Sequence, residues 1–402
     1  MGAEISHQHD KERNMKLLRY ILPAGMAGIL AVTAPFAVYA SSPEFSRTAE
    51  EWAQLRDNKI EYSELAGLVH EYNATVQKNA IDYNEFRKKY GDTKDDVADE
   101  YRKLAADLRD AISYPDVDDS NYGSMMAQII SNNQTAKTYE EKADDALEDS
   151  YVKYMTNCQT EAGIVQSAQS EMISWYQNQI QLQIDQKAKE LAQENCQAVE
   201  AKRNAGMVTD TDVLTAKESL RNTDQALIND QSAIDTGKQK LQVMLGWAAD
   251  ATPEIGPLPD VDEDRIAKMN PAEDKEKALE NNYTLLINKR QLSNARSQDK
   301  KDDLTTTVAD NERAIGASVN SSYQSVLSAK TAYELSVTQA ALEQQNLQIA
   351  QKKAQTGQLD NLSLKTQQNT AETAQLTVQI NRLKLLQAVQ NYEWTVNGLA
   401  GT

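Results

Sequence analysis

Two stretches of the chain carry the same apolar pattern. Gly206 is followed by Val213, Leu220, Leu227, Ile234 and Leu241, and Gly357 by Leu364, Ala371, Val378, Leu385 and Tyr392. The offsets from the glycine are 7, 14, 21, 28 and 35 in both runs, and a second glycine follows at offset 40 (Gly246) or 41 (Gly398). A seven-residue apolar repeat marks the face of a helix that packs along another helix. The leading glycine marks a chain reversal, because glycine enters the left-handed region at little cost. The pattern therefore predicts a duplicated helical hairpin.

The same reading extends along the chain. Residues 44–112 read as helix with a break at Gly91-Asp92-Thr93, and Tyr114-Pro115-Asp116 opens a turn that runs to Gly123. Residues 124–204 form one unbroken helical pattern, free of proline. A loop over 206–210 leads to a helix over 211–245. The segment from Ala248 to Pro271 holds four of the eight prolines and reads as an extended linker. Helix resumes at Pro271, a favourable first-turn position, and runs to Gln355; a last helix covers 361–397. The organisation expected is a signal segment over 1–40, a first helical repeat over 41–247, the linker over 248–270 and a second helical repeat over 271–402.

The duplication reaches back beyond the hairpins. The stretch from Glu64 to Asn73 resembles that from Lys275 to Asn282, and counting back from each glycine pairs Leu191 with Leu342 and Lys202 with Lys353. Asn73 lies 133 residues before Gly206, but Asn282 lies only 75 before Gly357, so the first repeat holds 58 extra residues, placed near 91–148 as a helical insert. Length adds a constraint. A helix of about 80 residues is about 120 Å long at about 1.5 Å per residue. A few such helices cannot bury both sides of their seams within one copy, so a closed ring of copies is expected.

Composition fits this picture. The 402 residues carry a net charge of −18 with 6% aromatics, and the mean hydropathy is −0.65. Long helices with thin apolar seams suit such numbers better than one thick core. The acidic balance argues against a nucleic-acid surface, which needs basic patches. Near the N-terminus, Lys16 and Arg19 precede a mostly apolar run from Ile21 to Val38, and Val38-Tyr39-Ala40 offers a signal-peptidase site; cleavage after Ala40 is the expectation, with an uncleaved anchor as the alternative. Met15 is a possible true start. The two cysteines, Cys158 and Cys196, fall 38 residues apart on one predicted helix. That is about 57 Å, far beyond disulfide reach, so two free thiols are expected, which fit a low-oxidant host.

Enzyme constellations are missing. Past residue 40 the chain has one histidine, His70, read as an ordinary helix-surface residue, and no phosphate loop, nucleophile elbow or cysteine cluster. No cofactor or metal is expected.

The glycine loops carry a family resemblance. Ala205-Gly206-Met207-Val208-Thr209-Asp210-Thr211-Asp212-Val213-Leu214, the closing Leu245-Gly246, the second Thr356-Gly357-Gln358-Leu359 and the two-repeat layout with its linker resemble the TolC-like outer-membrane efflux proteins. The resemblance implies an all-α fold of long antiparallel coiled-coil helices in two tandem repeats, with three copies forming a hollow helical barrel. It implies an exported efflux component without catalytic activity. Its glycine tips would face the inner membrane and meet a periplasmic adaptor (membrane fusion) protein, served by an inner-membrane pump plausibly of the ABC class. The family's other end forms an outer-membrane β-barrel, and there this chain departs. A barrel strand needs about ten alternating residues, and each repeat needs two such strands. Asp299 to Ile315, the matching stretch, has β-propensity only from Leu304 to Val308. A partial barrel would leave backbone unpaired in lipid. The reading is a barrel-less, exported relative, placed at the outer membrane if the host has one and otherwise at the cell wall.

Two sets of tip residues are candidates. Asp210, Asp212 and Asp360 would form rings of negative charge in a trimer, an electrostatic gate favouring cations. The competing reading is helix capping, with Asp210 as the N-cap. Gly206, Met207, Val208, Gly357, Gln358 and Leu359 are the candidate adaptor-docking tip, since exposed apolar loops mark docking surfaces. Packing of each loop on its own hairpin is the alternative. Trp175, Tyr176, Tyr323, Tyr333 and Trp394 read as seam packing, and Trp52 and Tyr62 as packing the first helix onto the bundle. The alternative function is an exported coiled-coil scaffold or spacer without conduction.

Overall fold

The computed structural model describes residues 47–248 and 250–402. The signal segment expected over 1–40 lies outside them. Twelve helices matter here. Helices α1 (Ala49–Leu55), α2 (Leu65–Tyr72), α3 (Ala74–Tyr90), α4 (Lys94–Asp110) and α5 (Tyr122–Asp144) precede the first long hairpin, α6 (Ser150–Asn204) and α7 (Asp210–Met244). Helices α8 (Glu263–Ala267), α9 (Pro271–Asn281) and α10 (Tyr283–Asn294) precede the second, α11 (Gln298–Gln355) and α12 (Asn361–Trp394). Among the described residues strand is limited to Lys59–Ile60 and Glu254–Ile255, paired in parallel. The architecture is all-α, as the heptads require. Leu304 to Val308, the one stretch with β-propensity, lies inside α11.

In each hairpin one helix outlasts its partner. α6 has 55 residues against 35 in α7, and α11 has 58 against 34 in α12. The surplus of α6 is covered by α2, α3 and α10, and that of α11 by α9 and α10. α6 also packs on α12, joining the hairpins. All ten heptad positions of the opening pattern are buried or half-buried. The thick packing sits at the waist, where the short helices meet the long ones. One cluster there contains Ile60, Leu65, Leu68, Met172, Ile173, Leu241 and Leu245; the other contains Leu285, Ile315, Val319, Val326, Leu385 and Tyr392. Tyr176 and Trp394 join the first cluster, as do Trp52 and Tyr62; Tyr323 and Tyr333 join the second.

Three helices expected to be continuous are broken. The 44–112 helix is interrupted at Arg56–Glu61 and again at Asn73, the helix over 124–204 at 145–149, and the helix over 271–355 at Asn282 and at 295–297. The longest helix is therefore about 87 Å rather than about 120 Å. Three of the breaks, at Asn73, at 145–149 and at Asn282, are made by a polar side chain with a better use than helix. Asp149 is fully buried, caps α6 through Val152 N (2.9 Å), and accepts from Arg290 Nε (2.6 Å) and Asn294 Nδ2 (3.0 Å). The linker is not simply extended either, since it contributes a strand pair and α8. The last helix ends three residues early, in a π-turn over Thr395–Leu399.

Asn73 and Asn282 occupy equivalent corners. Asn73 Oδ1 accepts from Thr75 N and Val76 N, while its Nδ2 donates to the Met244 carbonyl (2.8 Å) at the end of α7. Asn282 Oδ1 accepts from Leu285 N, while its Nδ2 donates to the carbonyls of Gly398 and Ala400 (2.9 Å) beyond α12. A glycine seals each corner. Gly246 has φ +79°, and a Cβ there would stand 2.4 Å from the Tyr72 carbonyl; at Gly398, φ +126°, it would stand 2.7 Å from the Tyr283 ring. One amide thus starts a helix and ties the far end of the hairpin to it.

The insert is a helical hairpin, α4 on α5, with its own small core of Val97, Ala98, Ala143 and Ala146 against Phe86, Tyr90 and Tyr101. Its base is tied to the second repeat by Arg296–Asp95 (2.7 Å) and Ser297–Asp145 (3.2 Å).

His70 is not an ordinary surface residue. It is half-buried at the waist, with Nδ1 2.8 Å from Glu161 Oε1 on α6. The hydrogen bond to Glu161 raises its pKa above 6.5, against the opposing effect of burial. The stabilisation is complete below the unfolded value of about 6.5 and is lost as pH rises through the higher folded value.

Replacing Asn282 with Asp keeps the cap acceptor but turns a buried donor into a charge facing two carbonyls. Asn282→Asp is expected to destabilise by about 1–3 kcal/mol, and Asn73→Asp by a similar amount, in chemical denaturation at neutral pH. A loss within about 0.5 kcal/mol for both would show that the corner donors contribute nothing. Stability measured from about pH 6 to about pH 9 should fall for the native chain and fall less steeply for His70→Gln. An equal slope in both proteins would rule out the His70–Glu161 pair as its source.

Candidate functional site

The two hairpin tips are built alike, residue for residue. α6 ends in a Schellman motif: Met207 N donates to the Lys202 carbonyl and Gly206 N to Arg203, both at 2.9 Å. α11 ends the same way, with Gln358 N on Lys353 (2.8 Å) and Gly357 N on Ala354 (3.0 Å). The glycines have φ +72° and +73°. A Cβ at either would meet nothing within 4 Å, so conformation alone demands glycine there.

Three residues beyond each glycine a cap starts the returning helix. Thr209 caps α7 in a capping box, with Asp212 N on Thr209 Oγ1 (3.3 Å) and Thr209 N on Asp212 Oδ2 (2.7 Å). Asp360 caps α12, accepting from Ser363 N (2.9 Å) and from the Ser363 hydroxyl (2.6 Å). The expected N-cap role of Asp210 is therefore wrong. Asp210 is the first helical residue and pairs with Arg203 Nε across the loop (2.7 Å). The Thr-x-x-Asp spacing of residues 209–212 is the signal that could have located the cap. The hydrogen bonds from Thr209 hold the Asp212 carboxyl below the usual carboxylate range, and those from Ser363 do the same for Asp360. Both acids are exposed and ionised at neutral pH. Capping and a ring of charge are thus compatible for these two, because each cap uses the ionised form.

The apolar tip residues separate. Met207 is 74% exposed, whereas Val208 and Leu359 are half-buried against their own hairpins. Gln358, the counterpart of Met207, is exposed. The surface offered at the two tips is thus one methionine and one glutamine, with Lys202, Arg203, Lys352 and Lys353 in the last turns of the long helices.

Cys158 and Cys196 are free thiols on the one helix α6, and burial pushes the Cys158 thiol up to about 12. A thiol so shifted is a poor nucleophile. Among the described residues no cluster of His, Cys, Asp and Glu could hold a metal ion, and no helix is long and apolar enough to cross a membrane.

Because the tip glycines have open space, Gly206→Ala is expected to cost about 1–2 kcal/mol through backbone strain, and Gly206→Asn less, since Asn tolerates the left-handed region. Thermal denaturation of both variants decides. Equal losses would mean that something other than φ selects the glycine.

No protein-family model and no curated protein matches the chain. Solved structures do. A membrane protein from Pseudomonas aeruginosa is 10% identical, with 84% of this chain and 90% of that one covered at a TM-score of 0.57. The outer-membrane channel OprN is 14% identical, with 90% and 94% covered at a TM-score of 0.54. At such identities the likeness carries the fold, and with the paired glycine hairpins, the linker and the waist in the same chain, that fold is the one of the TolC-like outer-membrane efflux channels.

Proposed function

We propose that copies of this chain close into a helical tube in the cell envelope that passes solutes passively, as one component of an efflux assembly. The observation that carries this reading is a set of apolar stripes left exposed by the described residues. Leu335, Leu342 and Ile349 recur every seven residues along α11 and are 68%, 49% and 52% exposed. Leu214 and Ile228, two heptads apart on α7, are 66% and 63% exposed. A seven-residue stripe is the face a helix presents to another helix. The heptads of the opening pattern are already used within each hairpin. The second set therefore fits neighbouring copies, and ring closure satisfies it on both sides. By resemblance the ring is a trimer.

In this reading the tip meets the hairpins of a membrane-fusion adaptor, through Gly206, Met207, Val208, Gly357, Gln358 and Leu359. An inner-membrane pump of the ABC type drives transport, and the chain itself performs no covalent chemistry. Asp212 and Asp360, with Asp210 partly neutralised by Arg203, give each copy fixed negative charge at the opening. In this reading the N-terminal segment directs export. The fold supports an envelope location, at the outer membrane where the host has one.

A second reading is an envelope scaffold that kept the helices and lost conduction. It draws on one observation: strand among the described residues is confined to two segments of two residues.

Sedimentation of the mature protein at micromolar concentration tests the tube. An oligomer is expected, converted to monomer by Leu335→Glu with Leu342→Glu while helicity is retained. A monomer under all conditions, including with adaptor present, would sink the tube. In reconstituted assemblies, Asp212→Asn should lower cation selectivity; unchanged selectivity would remove the charged ring, and absence of any conductance would favour the scaffold.

A further inference from the structure

The four long helices stand in a row. α6 packs on α7, α12 on α11, and α6 on α12, so the order across the row is α7–α6–α12–α11. Two ion pairs fix its sense. Lys187 of α6 meets Glu372 of α12 (3.2 Å), and Glu194 meets Lys365 (3.3 Å). α6 and α12 therefore run antiparallel, and both glycine tips lie at one end. α7 and α11 are the edges of the row; α7 leaves the tip and α11 approaches it.

Each edge carries one exposed stripe, and the two stripes have the same spacing. On α7 it is Asp210, Leu214, Arg221 and Ile228. On α11, counted away from the tip, it is Lys353, Ile349, Leu342 and Leu335. The steps are 4, 7 and 7 residues in both, and all eight residues are exposed. Residues four and seven apart share one face of a helix. The stripe of α7 lies about 140° round the helix from its buried positions Ala216, Ile234 and Leu241, and the stripe of α11 about as far from Ser336, Ala340 and Leu347. A helix inside a ring needs neighbours on two such well-separated faces.

We propose that α7 of one copy packs antiparallel on α11 of the next in a single register: Asp210 on Lys353, Leu214 on Ile349, Arg221 on Leu342 and Ile228 on Leu335. This rests on the tube reading above and adds which edge meets which, and where. The contact is heterologous, so a closing ring leaves neither edge open. The alternation of helix direction along the row continues across it.

Charge and shape select this register over its neighbours. It sets an acid against a base and closes two aliphatic pairs. A slip of one heptad sets Asp210 against Asp360 and Lys217 against Lys353, two like-charge contacts, and keeps one aliphatic pair, Ile228 on Leu342. The opposite slip keeps only Leu214 on Leu342 and sets Ile228 against Ser328. Asp210 also pairs with Arg203 in its own copy, and that pair is exposed, so the contact with Lys353 discriminates between registers more than it adds affinity. Arg221 is the odd member of its stripe. Its stem can cover Leu342 while its head stays in water. A single polar residue in an apolar seam specifies register at a cost in stability, and Arg221 holds that place here.

Oxidative cross-linking of full chains carrying paired cysteines tests the register, with the native chain as the blank. Leu214→Cys with Ile349→Cys, and Ile228→Cys with Leu335→Cys, are each expected to give covalent multimers. The slipped pairs, Leu214→Cys with Leu342→Cys and Ile228→Cys with Leu342→Cys, should stay monomeric on a denaturing gel, as should Leu214→Cys alone. Arg221→Leu should tighten association about tenfold or more in sedimentation and let the slipped pairs cross-link as well. Cross-links confined to the slipped pairs, or formed by Leu214→Cys alone, would overturn the pairing. Association no tighter in Arg221→Leu, with the register unchanged, would overturn the role given to Arg221. An oligomer in sedimentation with neither expected cross-link would overturn the pairing and leave the tube standing; a monomer under all conditions would sink both.

Discussion

The two asparagine–glycine corners at the waist are what the rest of the fold depends on. A long helix can be paired along its whole length by two shorter helices only if the chain stops and restarts in register. Each restart exposes backbone N–H groups, and each hairpin end exposes carbonyls. Asn73 and Asn282 satisfy both sets with one side chain apiece. Asp and Ser can start a helix equally well, but neither carries an amide donor for the carbonyl on the other side. Gly246 and Gly398 then let the two backbones approach within the distance that donor can span. The waist clusters lie around these corners, and the thin seams run out from them.

That distribution explains why the arms are so polar. Away from the waist the buried apolar positions reduce to single residues such as Ile180, Ile234, Leu347 and Ala371. A two-helix arm with so narrow a core is marginal alone, since most helical stability in proteins comes from tertiary packing. The stripe of Leu335, Leu342 and Ile349 is where further packing is available. In the proposed ring, assembly and arm stability are then one problem: the contacts that would close it would also stiffen each hairpin.

Much of this is legible in the sequence because heptads and left-handed glycines are strong local signals. The two hairpins, their reversing glycines and the helical insert can be read directly. The corners cannot. Asn73 and Asn282 sit in stretches without proline or glycine, and nothing local distinguishes a polar residue on a helix surface from one that ends a helix. What decides is the carbonyl of Met244 or Ala400, more than a hundred residues away. Asp149 escapes for the same reason, since its partners Arg290 and Asn294 belong to the other repeat. His70 reads as a surface residue until Glu161 is placed opposite it. At the tip the miss was avoidable, because Thr209 and Asp212 form a local capping box and Asp210 does not.

The two ends of the molecule answer to different constraints. At the tip both repeats keep one geometry, Schellman turn, exposed residue, half-buried aliphatic, cap, while exchanging Thr209 for Asp360 and Met207 for Gln358. Geometry is held constant there while side chains vary, so the turn itself, rather than any one side chain, is what the two repeats share. At the far end the repeats diverge: one carries the α4–α5 hairpin and the other runs straight on through α11. Strands would have had to pair with strands from neighbouring copies, whereas a helical hairpin satisfies its backbone alone. The insert therefore frees the far end from the closed sheet that a membrane imposes, and leaves its base tied to Arg296 and Ser297 of the second repeat. Registration at that end is thus set within one copy, and in the proposed tube the contacts between copies fall to the long helices below it.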